Sequence, residues 1–189
     1  MIRQTGILFG PFLYLIAQSM LLASAATGRT GYLLVMMALP LLLLSYFYLY
    51  QISRRAAPML TLAGMFPLTW SLLAHYAGIV LRFALTPVAK DVDTLFAYDT
   101  ALTYSTHLYV WLGTVAPQLL LVPAFMLLGF AYYRLQEDWL VPLLLVVGGL
   151  SMVLAEWQPQ RYVAILMGAS AQLVAFYMIS RRPRRKEVW

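Results

Sequence analysis

Long apolar runs separated by short polar interruptions make up nearly the whole chain. Six of these runs approach or exceed the roughly 20 residues that a helix needs to cross the hydrocarbon core of a membrane. They cover residues 6–26, 31–50, 59–81, 108–132, 139–156 and 162–180. The pattern predicts an all-α fold, a bundle of six transmembrane helices that forms one domain over residues 1–189.

Composition supports this interpretation. Hydrophobic residues make up 62% of the 189 residues, charged residues 11%, and the mean hydropathy is +0.77. A soluble domain carries about a quarter charged residues, so the composition is typical of an integral membrane protein whose first partner is the lipid bilayer. The chain has no cysteine, which excludes disulfides and thiolate ligands.

The distribution of basic residues predicts an orientation. With the N-terminus in the cytoplasm, nine of the 13 basic residues lie inside and four outside, in agreement with the positive-inside rule. Five of the nine fall in a basic cytoplasmic tail, residues 181–189, which suits anionic lipid headgroups rather than nucleic acid. We therefore expect a multi-pass protein of the inner (cytoplasmic) membrane of a prokaryote, with both termini in the cytoplasm.

The longest polar connection lies between the third and fourth spans. Its apolar residues recur near helical spacing, which predicts a short interfacial helix over about 93–104 on the outer side, with Leu95, Phe96 and Leu102 as an interface. Asp91 or Asp93 would cap this helix. The same pair is an alternative calcium site, but two carboxylates supply too few oxygens, so we predict no metal.

Polar side chains within the spans are few. Gln18, Gln118 and Gln172 fall at similar depth, close to the level of His75. In lipid such groups need a partner and should face the bundle interior, so these four residues are the candidate ligand-binding set. The alternative is that the amides only pair with one another between helices.

The two histidines raise the question of a cofactor. His75 and His107 could hold a haem, but His75 lies about 10 Å below the membrane surface at about 1.5 Å per residue, whereas His107 lies near it. This difference in height disfavours two axial ligands of one haem. A quinone hydrogen-bonded by His75 is more plausible, and otherwise we predict no cofactor.

Three functions remain open, since the chain has no catalytic motif and an enzyme is not favoured. The first is an accessory or scaffold subunit of a larger membrane complex, with other membrane subunits as partners. The second is binding or transport of a small neutral or apolar molecule through an outer-facing pocket. The third is a membrane enzyme acting on a lipid or quinone, with His75 or Glu156 as the proton-transfer group. Scarce intramembrane polar groups favour the first.

Overall fold

Helices account for all the regular structure in the part of the chain that the computed structural model describes, residues 2–23, 28–85, 108–157 and 161–181. There are six of them, and no strand occurs in these ranges. We label them in chain order: α1 Ile2–Ala23, α2 Gly28–Ser53, α3 Pro58–Leu85, α4 Leu108–Gln136, α5 Leu140–Trp157 and α6 Arg161–Arg181. The all-helical prediction is confirmed.

Each predicted span coincides with one of these helices, with small shifts at the ends. α3 continues to Leu85 and α4 to Gln136, each four residues beyond the predicted limit. Five prolines lie inside α1 to α4, at positions where a soluble helix would be interrupted. The predicted interfacial helix, with Leu95, Phe96 and Leu102, falls outside the described residues.

The helices form a closed ring in chain order. Each helix packs against the next, α6 packs back against α1, and α2 also contacts α4 across the interior. The contacts place the start of each helix beside the end of its neighbour: Gly10 of α1 meets Leu41 of α2, and Gly129 of α4 meets Pro142 of α5. Such an up-and-down ring encloses an interior to which every helix can contribute one face.

The outer surface of the ring is apolar on all six helices. On α5, for example, Leu143, Val147, Leu150 and Leu154 are exposed at helical spacing, while Val141 and Leu145 are buried. Four stretches are long and apolar enough to cross a membrane; they are Thr30–Ser53, Pro58–Leu81, Ala116–Gln136 and Val163–Arg181. The apolar stretches of α1 and α5, Gly6–Leu21 and Leu140–Leu154, are shorter.

At the contact between α1 and α2, a side chain of α2 bonds to a carbonyl group of α1 that has no donor within its own helix. Because Pro11 has no N–H, the carbonyl group of Ile7 loses its intrahelical donor. The hydroxyl of Ser45 on α2 donates a hydrogen bond to that carbonyl oxygen at 2.8 Å. Beside it, a Cβ atom on Gly10 would lie 2.5 Å from the Leu41 carbonyl carbon and oxygen, so only glycine allows the two backbones to approach this closely.

One half of the interior is filled by aromatic rings. Tyr46 of α2 is fully buried, and its ring centroid lies 5.3 Å from that of Phe125 on α4 and 5.2 Å from that of Phe176 on α6. These three residues, the aromatic plug, lie in the halves of their helices nearest the end where α2, α4 and α6 finish. Their packed rings occupy interior space at that end.

The same end of the ring carries arginines. Arg54 and Arg55 occupy the turn between α2 and α3, and both are exposed. Arg134 and Arg181 lie in the last turns of α4 and α6, each over an aromatic ring of its own helix. Beyond Arg134, Asp138 accepts a hydrogen bond from the backbone N–H of Leu140 at 3.0 Å and caps α5.

Candidate ligand pocket

A pocket occupies the half of the interior opposite the aromatic plug. It encloses about 530 Å³ when its open mouth is counted. Among the described residues, five of the six helices contribute to its wall. The lining residues are Tyr14 and Gln18 of α1, Ser71, Leu72 and His75 of α3, Gln118 and Leu121 of α4, Met152 and Val153 of α5, and Ile165 of α6.

Three of the four candidate ligand-binding residues therefore meet in one space. Gln18, His75 and Gln118 come from three different helices and all line the pocket. The signal that led to them was the cost of placing an amide or imidazole in an apolar span, which directs such groups inward. Their roles as ligand contacts stay a prediction, whereas their location in one pocket is a property of the fold.

The amides of the pocket are not paired with each other. Gln18 is only 6% exposed, yet within the described part of the chain no hydrogen bond joins its amide to another residue. Gln118, which is half-buried, likewise has no such bond to a described residue. The pairing alternative stays open as a prediction, but no such pair occurs among the described residues. A ligand in the pocket can therefore bond to these amides without displacing a hydrogen bond to a described residue.

Two polar residues of the pocket escaped the sequence analysis. Tyr14 precedes Gln18 by four residues, and Ser71 precedes His75 by four. This spacing puts each pair on one face of its helix, so both members point the same way. Each lies four residues before a residue that the sequence analysis had selected, and this spacing could have identified both.

Gln172, the fourth candidate, lies behind the pocket wall. It is 1% exposed, and its Nε2 group donates a long hydrogen bond of 3.4 Å to the sulfur of Met152, which does line the pocket. Its Oε1 atom accepts no hydrogen bond from any described residue. Here α5 and α6 approach closely, since a Cβ atom on Gly168 would lie 2.9 Å from the carbonyl oxygen of Gly148.

The pocket has one polar wall and one apolar wall. All five polar lining residues belong to α1, α3 and α4, whereas α5 and α6 contribute only Met152, Val153 and Ile165. Among the lining residues that the structure describes there is no Asp, Glu, Lys or Arg. The polar wall thus offers hydrogen-bond donors and acceptors to a ligand.

Several predicted features cannot be placed against this pocket. Asp91, Asp93 and His107 lie outside the described residues, as does the tail beyond Arg181. The side chain of Glu156 is likewise not described. Among the residues that are, no group of three or more potential metal ligands comes together.

Comparisons with protein-family models, with characterised proteins and with solved structures give no match to this chain.

Proposed function

We propose that this chain is a six-span membrane protein that binds a small uncharged molecule in the pocket between α1, α3, α4, α5 and α6. The observation that carries the proposal is the Gln18 amide. Gln18 is 6% exposed, lines the pocket and has no hydrogen bond to a described residue. A buried amide in a membrane interior needs hydrogen bonds, and a ligand supplies them where the protein does not.

In this proposal all six helices cross the membrane, including α1 and α5, whose apolar stretches are shorter. Both belong to the closed ring, and both have apolar exposed faces, Phe9, Phe12 and Ile16 on α1 and Leu143, Val147 and Leu150 on α5. The buried set contains Gln18, Ser45, Thr61, Ser71 and Gln172. Apolar residues outside and polar residues inside are the arrangement expected in lipid.

The arginine-bearing end lies in the cytoplasm in this proposal, and the pocket opens toward the outer side. Arg54, Arg55, Arg134 and Arg181 all belong to the former end, and the basic tail follows α6 there. Cytoplasmic loops carry the excess of Lys and Arg. The location in the inner membrane of a prokaryote, and the contact of the tail with anionic lipid, remain parts of the same proposal.

In this proposal the aromatic plug separates the pocket from the cytoplasmic end of the bundle. The ligand would therefore enter from the outer side, and no continuous channel crosses the bundle. Transport would need Tyr46, Phe125 and Phe176 to separate. The accessory-subunit hypothesis, which the sequence favoured, is compatible with the apolar outer surface. No observation in the described residues favours it over a lipid-facing surface, so it is the second candidate.

The test is to purify the protein in mild detergent and to search by native mass spectrometry for a bound small molecule. We expect the wild type to carry one, and the double variant Gln18→Leu/Gln118→Leu to lose it while remaining folded. Gln51→Leu is the matched control, because Gln51 is an exposed glutamine at the opposite end of the ring. A wild type that carries no small molecule but co-purifies with other membrane subunits would support the accessory function instead.

A further inference from the structure

We propose that the ligand is an uncharged ring compound with carbonyl or amide groups along one edge, seated with that edge against α1, α3 and α4 and its apolar face against α5 and α6. This inference rests on the proposed function, since it names the class of molecule that the same pocket takes. Three properties of the pocket lead to it: its lack of charge, the chemistry of its polar wall and the position of its apolar wall.

The described lining residues carry no Asp, Glu, Lys or Arg, which favours an uncharged ligand. The pocket lies within the ring, surrounded by apolar helices whose outer faces meet lipid, so the local dielectric constant is low. An ion placed there without a countercharge loses its hydration and gains no ion pair in return. A neutral molecule avoids this penalty.

The polar wall selects a molecule with carbonyl or amide groups. Each glutamine amide offers two N–H donors and one carbonyl acceptor, and neither Gln18 nor Gln118 uses them on a described residue. A carbonyl oxygen on the ligand accepts from an amide N–H, and a ligand N–H donates to an amide oxygen. Tyr14, Ser71 and His75 line the same side of the pocket.

The apolar wall selects a flat and compact body. Met152, Val153 and Ile165 face the polar wall from α5 and α6, and Leu121 contributes from α4, one turn before Phe125 of the plug. A thioether side chain adapts to the face of a ring and contacts it favourably.

Such a ring can come from the membrane, as a quinone headgroup, or from water, as an amide-bearing heterocycle. Both present carbonyl oxygens at the edge of a flat apolar ring, so the pocket chemistry is the same for the two. The experiment distinguishes these sources by including one probe of each kind.

Four probes test the proposal on wild-type protein in lipid nanodiscs, by equilibrium dialysis. They are 2,3-dimethoxy-5-methyl-1,4-benzoquinone, nicotinamide, nicotinate and toluene. We expect one or both of the first two to bind at least tenfold more tightly than nicotinate, which is charged, and than toluene, which cannot hydrogen-bond. The tighter of the first two identifies the source. Gln18→Leu should weaken that binding about tenfold, the effect of one lost amide contact.

Matched variants on α5 test whether the ligand packs against this helix. Val153→Phe fills the pocket and should abolish probe binding, whereas Leu154→Phe places the same side chain on the exposed face and should leave binding unchanged. Loss of binding in both variants, or in neither, would overturn the proposed seating.

The remaining outcomes separate this inference from the proposed function. Equal binding of toluene and the carbonyl rings, or tighter binding of nicotinate, would overturn the assigned ligand class. If no probe binds while the purified wild type carries another molecule, the class is wrong and the binding function stands. If no probe binds and no small molecule co-purifies, both fail.

Discussion

Replacing Ser45 by alanine should destabilise the bundle, because it removes the hydrogen bond to the carbonyl group of Ile7 on α1. The Ser45 hydroxyl donates to Ile7 at 2.8 Å and also lies 3.2 Å from the carbonyl oxygen of Leu41. The Leu41 carbonyl keeps the backbone N–H of residue 45 as an intrahelical partner after the substitution. The Ile7 carbonyl has no such partner, because residue 11 is proline and cannot donate.

The expected magnitude follows from this difference. Side-chain hydrogen bonds between membrane helices contribute about 0.6 kcal/mol on average, and leaving a buried carbonyl unpaired costs about 1–3 kcal/mol. We expect Ser45→Ala to lower the free energy of unfolding by about 1–2 kcal/mol. In a Pro11→Ala background the restored N–H can bond to the Ile7 carbonyl, so the same substitution should cost about 0.5 kcal/mol or less.

The assay is a double-mutant cycle on unfolding by sodium dodecyl sulfate in mixed micelles, followed by circular dichroism. Equal losses from Ser45→Ala in the Pro11 and the Pro11→Ala backgrounds would refute the reasoning, because the hydroxyl would then not be replacing the missing N–H. Two glycine substitutions in α1 measure how much the close packing of α1 against α2 contributes to stability. Gly10→Ala should cost several kcal/mol by forcing the two backbones apart, whereas Gly6→Ala, with nothing within 4 Å, should be neutral or slightly stabilising.

The remaining predictions concern the plug, the topology and the outer connection. The hydroxyl of Tyr46 is buried and bonds to no described residue, so Tyr46→Phe should leave the unfolding midpoint unchanged or raise it. Tyr46→Ala should lower the free energy of unfolding by about 3–5 kcal/mol. A large loss of stability from Tyr46→Phe would indicate that the hydroxyl has a partner. A reporter fused after Trp189 should be active in the cytoplasm and one inserted near Thr94 outside, and the reverse pattern would contradict the orientation. Phe96→Asp should reduce thermal stability or partner co-purification more than the conservative change Asp93→Asn, and the opposite order would point to a carboxylate ligand.

The sequence predicts the helices of this protein well because their length and apolarity depend on local composition. All six predicted spans coincide with helices, and several helices continue beyond the apolar run through polar residues, as α3 does through Arg82 to Leu85. The sequence also predicts that Gln18, His75 and Gln118 lie inside, since polar groups in lipid have few alternatives.

The direction in which a side chain points around its helix is harder to predict. Gln172 has the same depth as the other amides, but it faces the seam between α5 and α6 rather than the pocket. Depth follows from residue number, whereas direction depends on which helices are neighbours. For the same reason Val153, which faces the pocket, and Leu154, which faces outward, are indistinguishable by hydrophobicity.

Water access at these two neighbouring positions tests the central claim most directly. Because the chain has no cysteine, Val153→Cys and Leu154→Cys each introduce a single thiol, and iodoacetamide alkylates thiols that can ionise in contact with water. In nanodiscs of ligand-free protein, the thiol at position 153 should react at least tenfold faster than the thiol at 154, and a bound ligand should slow it. Equal and slow alkylation at both positions would contradict a water-accessible binding pocket inside the ring.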